Sequence, residues 1–101
     1  MRKSIIYLKD KFGVCVNNSE IGFKIPEIYE VLKWYRENNI PIYGGDVYLN
    51  NGDKYISSDD NWYFLEKNTS YNFLEESIEY SLNYINNYPD KNNALFVLVP
   101  N

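Results

Sequence analysis

The sequence predicts an α+β fold: two main helices packed on a small mixed or mostly antiparallel sheet, with the C-terminal strand at its centre. Three observations predict it. Apolar residues recur at helical spacing in two segments, one after Pro26 and one after Ser70. A hairpin signal, Asn51-Gly52, separates two strand-like stretches between those helices. The chain then closes on the continuous apolar run Ala94-Leu95-Phe96-Val97-Leu98-Val99, the pattern of a strand covered on both faces. Helices and strands arrive in blocks rather than in strict alternation, as in α+β architectures. At 101 residues the chain is one domain, spanning 1–101.

The N-terminal region is the least legible. Ser4 to Leu8 reads equally as a short strand or a helical turn. Gly13 to Val16 and Ile21 to Phe23 read as short extended pieces around a turn at Asn17-Asn18. Glu27 to Asn38 reads as a helix: Pro26 stands at its first turn, where a missing N–H costs nothing. Ile28, Val31, Leu32 and Tyr35 make its buried stripe, and Pro41 prevents its continuation. Ile42 to Asn50 reads as a strand. A type I′ turn at Asn51-Gly52 would pair Asn50 with Asp53, Leu49 with Lys54, Tyr48 with Tyr55, Val47 with Ile56 and Asp46 with Ser57. Alternation then places Val47, Leu49 and Ile56 on the core face, and Asp46, Tyr48, Tyr55 and Ser57 on the other. Ser58 to Asn61 reads as a second turn, and Trp62 to Leu65 as a third strand. Asn68-Thr69-Ser70 precedes a longer helix. Asn72 with Glu75 has the pattern of a capping box, and Ser70 is an alternative cap. Leu74, Ile78, Ser81, Leu82, Ile85 and Tyr88 form that helix's core stripe, with Glu75, Glu76 and Glu79 pointing away.

Charge divides the chain. Residues 1–50 hold seven basic and six acidic groups, for +1; residues 51–101 hold three basic and eight acidic, for −5, which together make the net −4. An acidic half repels phosphate, so nucleic acid is not an expected ligand, while a basic protein would be steered toward it. The longest apolar run is far short of the roughly 20 residues that span a bilayer, so no membrane role is expected. The apolar stretch after the basic start is too short for a signal peptide, and a cytosolic chain is expected. The lone Cys15 permits no intramolecular disulfide and reads as a small buried residue.

Catalysis finds little support. The chain has no histidine, which removes the serine triad, the cysteine–histidine pair, the usual imidazole base and most zinc sites. No phosphate loop is present. Asp46, Asp53, Asp59 and Asp60 are oxygen ligands in kind, without the spacing of a calcium loop. No cofactor and no metal are expected. Gly44-Gly45 inside a strand marks a bulge or a close approach of another backbone, and Asp46 either caps that irregularity or is aimed outward. Asp46, Tyr48, Tyr55, Asp59, Asp60 and Tyr63 are the candidate partner contacts, because rings supply desolvated anchors and carboxylates supply steering. Gly44, Gly45, Asp46 and Trp62 are candidates for a structural role.

The pattern Ile40-Pro41-Ile42-Tyr43-Gly44-Gly45-Asp46-Val47-Tyr48, then Asp60-Asn61-Trp62-Tyr63, then Ser77 ahead of Tyr84-Ile85-Asn86-Asn87-Tyr88, then Leu95 to Val99, resembles one family of bacterial immunity proteins. It is the family numbered forty in polymorphic-toxin and contact-dependent inhibition systems, and the resemblance covers residues 27–99. It implies a cytosolic protein that binds a cognate toxin domain stoichiometrically and blocks it, without catalytic residues or cofactor. A basic nuclease would suit the acidic half. The alternative is a small binding or regulatory module with a non-toxin protein partner.

Overall fold

A computed structural model describes residues 4–16, 20–64 and 72–100. Three helices and two small antiparallel sheets make an α+β domain, as expected. The elements are α1 (Ile5–Phe12), β1 (Val14–Val16), β2 (Glu20–Gly22), α2 (Glu27–Glu37), β3 (Ile42–Asn50), β4 (Tyr55–Tyr63), α3 (Phe73–Asn87) and β5 (Ala94–Pro100), with a 3₁₀ turn at Lys91–Asn93 before β5.

The open question at the N-terminus resolves as a helix. Ser4 is its N-cap, its side chain accepting the Tyr7 N–H at 3.1 Å. The two short extended pieces pair as β1 and β2; the turn expected at Asn17-Asn18 lies outside the described residues. Alternation in this three-residue strand turns Val14 and Val16 inward, so Cys15 is exposed rather than buried. Helix α2 has the expected bounds and stripe. It ends in a Schellman motif: Asn39 adopts φ 59°, the Ile40 N–H bonds the Tyr35 carbonyl at 2.9 Å, and the Asn39 N–H bonds the Arg36 carbonyl at 3.2 Å.

The main sheet has the order β4-β3-β5. The other edge of β5 is taken by Phe23, which exchanges two backbone hydrogen bonds with Phe96. The C-terminal strand thus runs between two bonded neighbours, and Ala94 to Val97 are buried. One face of the sheet carries α2 and α3 over the main core of Ile28, Val31, Leu32, Ile42, Val47, Trp62, Ile78, Ile85 and Phe96. The opposite face carries the β1–β2 hairpin over a second core of Val16, Tyr48, Leu95 and Val97.

The β3–β4 hairpin departs from its expected register. Asn50 pairs with Tyr55, Leu49 with Ile56 and Tyr48 with Ser57, leaving a connection of four residues, 51–54. Asn51-Gly52 does lie at the tip, but Gly52 alone has a positive φ there, at 86°, so the turn is not type I′. The Asn50 side chain accepts the Gly52 N–H at 2.9 Å, and the Asn51 N–H bonds the Lys54 carbonyl at 2.8 Å. The slip of two residues keeps Asp53 and Lys54 out of the ladder. Because side chains alternate with period two, it leaves each residue on its expected face.

A larger correction concerns Ser58 to Asn61. These residues do not turn the chain; they form a bulge inside one continuous strand. Asp46 pairs with Asn61 while Tyr48 pairs with Ser57, so β4 carries two more residues than β3 across that interval. Asp59 takes φ 65°, the Ser57 hydroxyl accepts the Asp59 N–H, and the Ser58 hydroxyl accepts the Asp60 N–H and donates to the Val47 carbonyl. Turn-forming residues are accommodated because their own side chains satisfy the backbone groups that the ladder leaves. The strand expected at Trp62–Leu65 is therefore the end of β4, and Leu65 itself lies outside the described residues. So does Ser70, the alternative cap of α3; Asn72 holds the N-cap position without a side-chain cap bond.

Candidate functional site

The residues singled out in the sequence separate into a structural lock and two surfaces. The lock centres on Trp62. It is only 3% exposed, its Nε1–H donates to the Ser81 hydroxyl of α3 at 3.0 Å, and its ring stacks on Tyr84 at 4.7 Å between centroids. Gly45 lies opposite Trp62 in the register; a Cβ there would fall 2.6 Å from Trp62 Cζ2 and 2.7 Å from the Val97 carbonyl oxygen. A Cβ on Gly44 would strike the Trp62 carbonyl. The double glycine is thus a close approach to the tryptophan strand. Ser77, fully buried on α3, accepts the Ile42 N–H at 3.1 Å and donates to the Leu74 carbonyl at 2.9 Å, tying the start of β3 to the helix. Two small residues one turn apart let α3 approach the sheet, and each hydroxyl satisfies a buried donor.

The first surface is the sheet face away from α2 and α3. Tyr48 is on it but is not open: it is 7% exposed beneath the β1–β2 hairpin, and its hydroxyl donates to Glu20 at 2.9 Å. Tyr55 packs half-buried against the same cluster. Asp46 is half-buried beside Glu20; burial first, and the Glu20 charge second, raise its carboxyl above the usual carboxylate range. Farther along, the face opens. Tyr63 is 70% exposed and sits across Gly44 from Val99, which is also exposed.

The second surface is the seam between β4 and the C-terminal half of α3. Asp60 belongs here, because alternation carries it to the Trp62 side of the strand. Its carboxylate accepts the Tyr88 hydroxyl at 2.7 Å. Asp60, Tyr80, Asn83, Tyr84, Asn87, Tyr88 and Pro89 line an open cleft of 640 Å³. The helix contributes positions 80, 83, 84 and 87, the i, i+3, i+4, i+7 spacing of one face, and its C-cap contributes Tyr88. Burial above all raises the Tyr84 and Tyr88 hydroxyls, and the Asp60 carboxylate raises both further. Rings continue up the seam: Phe64 lies 5.4 Å from Tyr80 and 5.5 Å from Phe73, and Tyr43 lies 5.9 Å from Phe73.

The structure therefore does not join Asp46, Asp59 and Asp60 into one acidic edge. Asp46 and Asp60 lie on opposite faces of the sheet, and Asp59 occupies the bulge between. Glu75 and Glu79 are engaged with Arg36 of α2, at 3.1 and 3.0 Å. The tyrosine–asparagine face of α3 escaped the sequence reading. Its signal was the spacing of Tyr80, Asn83, Tyr84, Asn87 and Tyr88, masked in a chain with 11 tyrosines and many asparagines.

The model of one protein family, described as immunity protein 40, matches residues 8–100. The chain belongs to the immunity protein 40 family. Membership extends through the N-terminal region, where the motif resemblance began only at residue 27. In this immunity protein 40 member, Trp62 with Ser81 and Ile42 with Ser77 tie the sheet to α3, and Gly44 and Gly45 leave room for the tryptophan strand. No curated protein and no solved structure matches the chain. Among the described residues, no helix is long and apolar enough to cross a membrane.

Proposed function

We propose that this protein neutralises a cognate toxin domain by binding it one to one in the cytoplasm, performing no chemistry of its own. Family membership over residues 8–100 carries the reading. The residue content supports it: with no histidine anywhere in the chain, the usual neutral-pH proton shuttle is missing. The net charge of −4, concentrated after residue 50, suits a basic toxin, and a nuclease is the class that needs a cationic cleft. An acidic, aromatic surface occupying such a cleft excludes nucleic acid without touching the toxin's catalytic groups. Of the contact set expected from sequence, Asp59, Asp60 and Tyr63 reach solvent on β4 and serve as contacts, with Asp46 and Tyr55 at the border. Tyr48 acts by holding the β1–β2 hairpin to the sheet.

The test is a titration of the toxin domain encoded with this chain. Toxin activity should fall linearly and vanish near one molar equivalent, with a 1:1 complex by light scattering. Complete inactivation at a small fraction of an equivalent would show turnover and overturn the reading. Absence of both binding and protection would return the chain to the wider class of binding modules.

A further inference from the structure

We infer that the cleft between β4 and the C-terminal half of α3 receives an arginine side chain presented by the toxin domain; the inference rests on the function proposed above. Two features of the cleft favour a cation, and they differ in origin. The Asp60 carboxylate stands in its wall, held by the Tyr88 hydroxyl at 2.7 Å. The helix wall is tyrosine at positions 80, 84 and 88, and aromatic faces carry negative quadrupole density that attracts cations. The cleft also lies near the carbonyl end of α3, but that end does not add to its pull on a cation, because the Lys91 ammonium already donates to the Asn86 carbonyl at 3.0 Å.

Among the described residues, no cationic side chain lines the cleft beside Asp60 and the tyrosines. Burial is the main cause that raises the Tyr84 and Tyr88 hydroxyls; the Asp60 charge adds to both and Asp90 to Tyr88, while a hydrogen bond with Ser58 pulls Tyr88 the other way. A phosphate or an acidic peptide would meet repulsion from the same groups. The planar guanidinium is the cation that fits best. It stacks on rings while its N–H fork reaches a carboxylate and the side-chain carbonyls of Asn83 and Asn87. The 640 Å³ volume is within the range of pockets that hold a side chain together with part of its segment. Tyr80, 44% exposed, stands at the mouth as a desolvating rim.

Two variants probe the cleft and one serves as control. Asp60→Asn removes the charge and keeps an acceptor for Tyr88. Asn83→Arg places a cation in the cleft from an exposed helix position. Glu30→Gln, on the exposed face of α2, makes the same one-unit charge change elsewhere. Each is checked by circular dichroism and melting temperature, then titrated against an inactive form of the toxin domain. Asp60→Asn and Asn83→Arg should each weaken binding at least about tenfold, with Glu30→Gln within about twofold. Both cleft variants binding like wild type would overturn the inference and leave the proposed function standing.

A second arm needs no toxin. Acetyl-Gly-Arg-Gly-amide at millimolar concentration should shift the ring resonances of Tyr84 and Tyr88 and the indole of Trp62. Its uncharged citrulline counterpart should not, nor should either peptide shift Asp60→Asn. No shift with the arginine peptide, or equal shifts with citrulline, would overturn the cleft assignment. Failure of wild type to bind the toxin domain would sink the functional reading instead, and the peptide arm would then decide the cleft alone.

Discussion

Single atoms decide most of what Trp62 does. Its ring fills the space that Gly45 leaves bare, and its N–H has one buried partner, the Ser81 hydroxyl. Gly45→Ala drives a methyl into the indole and the Val97 carbonyl, neither of which can retreat easily. It should destabilise by roughly 1–3 kcal/mol, read from the urea midpoint. Ser81→Ala strands the indole N–H in the core and should cost about 1–3 kcal/mol by the same measurement. Asp46 supplies a pH-dependent counterpart. Its folded pKa is raised, by burial first and then by Glu20. A raised carboxyl disfavours the folded state once ionised. Its contribution to stability is therefore largest at acid pH, below the unfolded value, and is lost as pH rises through the folded pKa. Asp46→Asn should thus raise the melting temperature at pH 7, and the gain should shrink toward zero near pH 3.8, the ordinary carboxylate value. An equal gain at both pH values would contradict the assignment.

Among the elements, β4 carries a conformational cost at its bulge. Asp59 holds φ 65° within its bulge, a region where most side chains are strained and aspartate only partly tolerated. Asp59→Gly should therefore keep or raise stability, by up to about 1 kcal/mol, while Asp59→Val should lower it by about 1–2 kcal/mol. The same argument separates Asp59 from Asp60 in any charge-reversal study: lysine at 59 would add backbone strain to the change of charge, whereas lysine at 60 would not. At the hairpin tip Gly52 has φ 86° with open space around it, so Gly52→Val meets no neighbour and suffers only the backbone penalty. A loss of about 1–2 kcal/mol in denaturant titration is expected, with unchanged toxin affinity per folded molecule. Helices α2 and α3 are joined near the surface by Arg36 to Glu75 and Glu79. Such exposed pairs contribute little, and Arg36→Gln should cost less than about 1 kcal/mol.

Over the whole molecule, the sheet is a partition. Helices and the Trp62 lock fill one face, the β1–β2 hairpin covers half of the other, and β4 remains an outer strand with no partner strand among the described residues. The strand presents Asp60 to one side and Tyr63 to the other. Net negative charge of this size accelerates approach of a cationic partner over long range. The association rate with the toxin domain should fall steeply between low and 0.5 M salt, while the dissociation rate changes little. A salt-independent association rate would remove the electrostatic argument for a basic partner.

Local information was sufficient for α2, β3, α3 and β5, but not for α1 or for the continuity of β4. The helical stripe of α2, the chain reversal at Asn51-Gly52 and the apolar run of β5 are read within a dozen residues, because propensity and period act over that range. The main core follows from the same alternation, and a slip of two residues in the hairpin leaves every face intact. Three things were beyond local reading. Ser58 to Asn61 have the composition of a turn, and only pairing with β3 on both sides makes this stretch a bulge. Tyr48 looks solvent-facing by alternation, and only the β1–β2 hairpin, 28 residues away at Glu20, buries it. The cleft joins Asp60 to Tyr88 across the α3 connection, so neither segment shows it alone. Periodicity determines which face of its own element a side chain takes; which other element arrives at that face is decided by packing among segments distant in the chain.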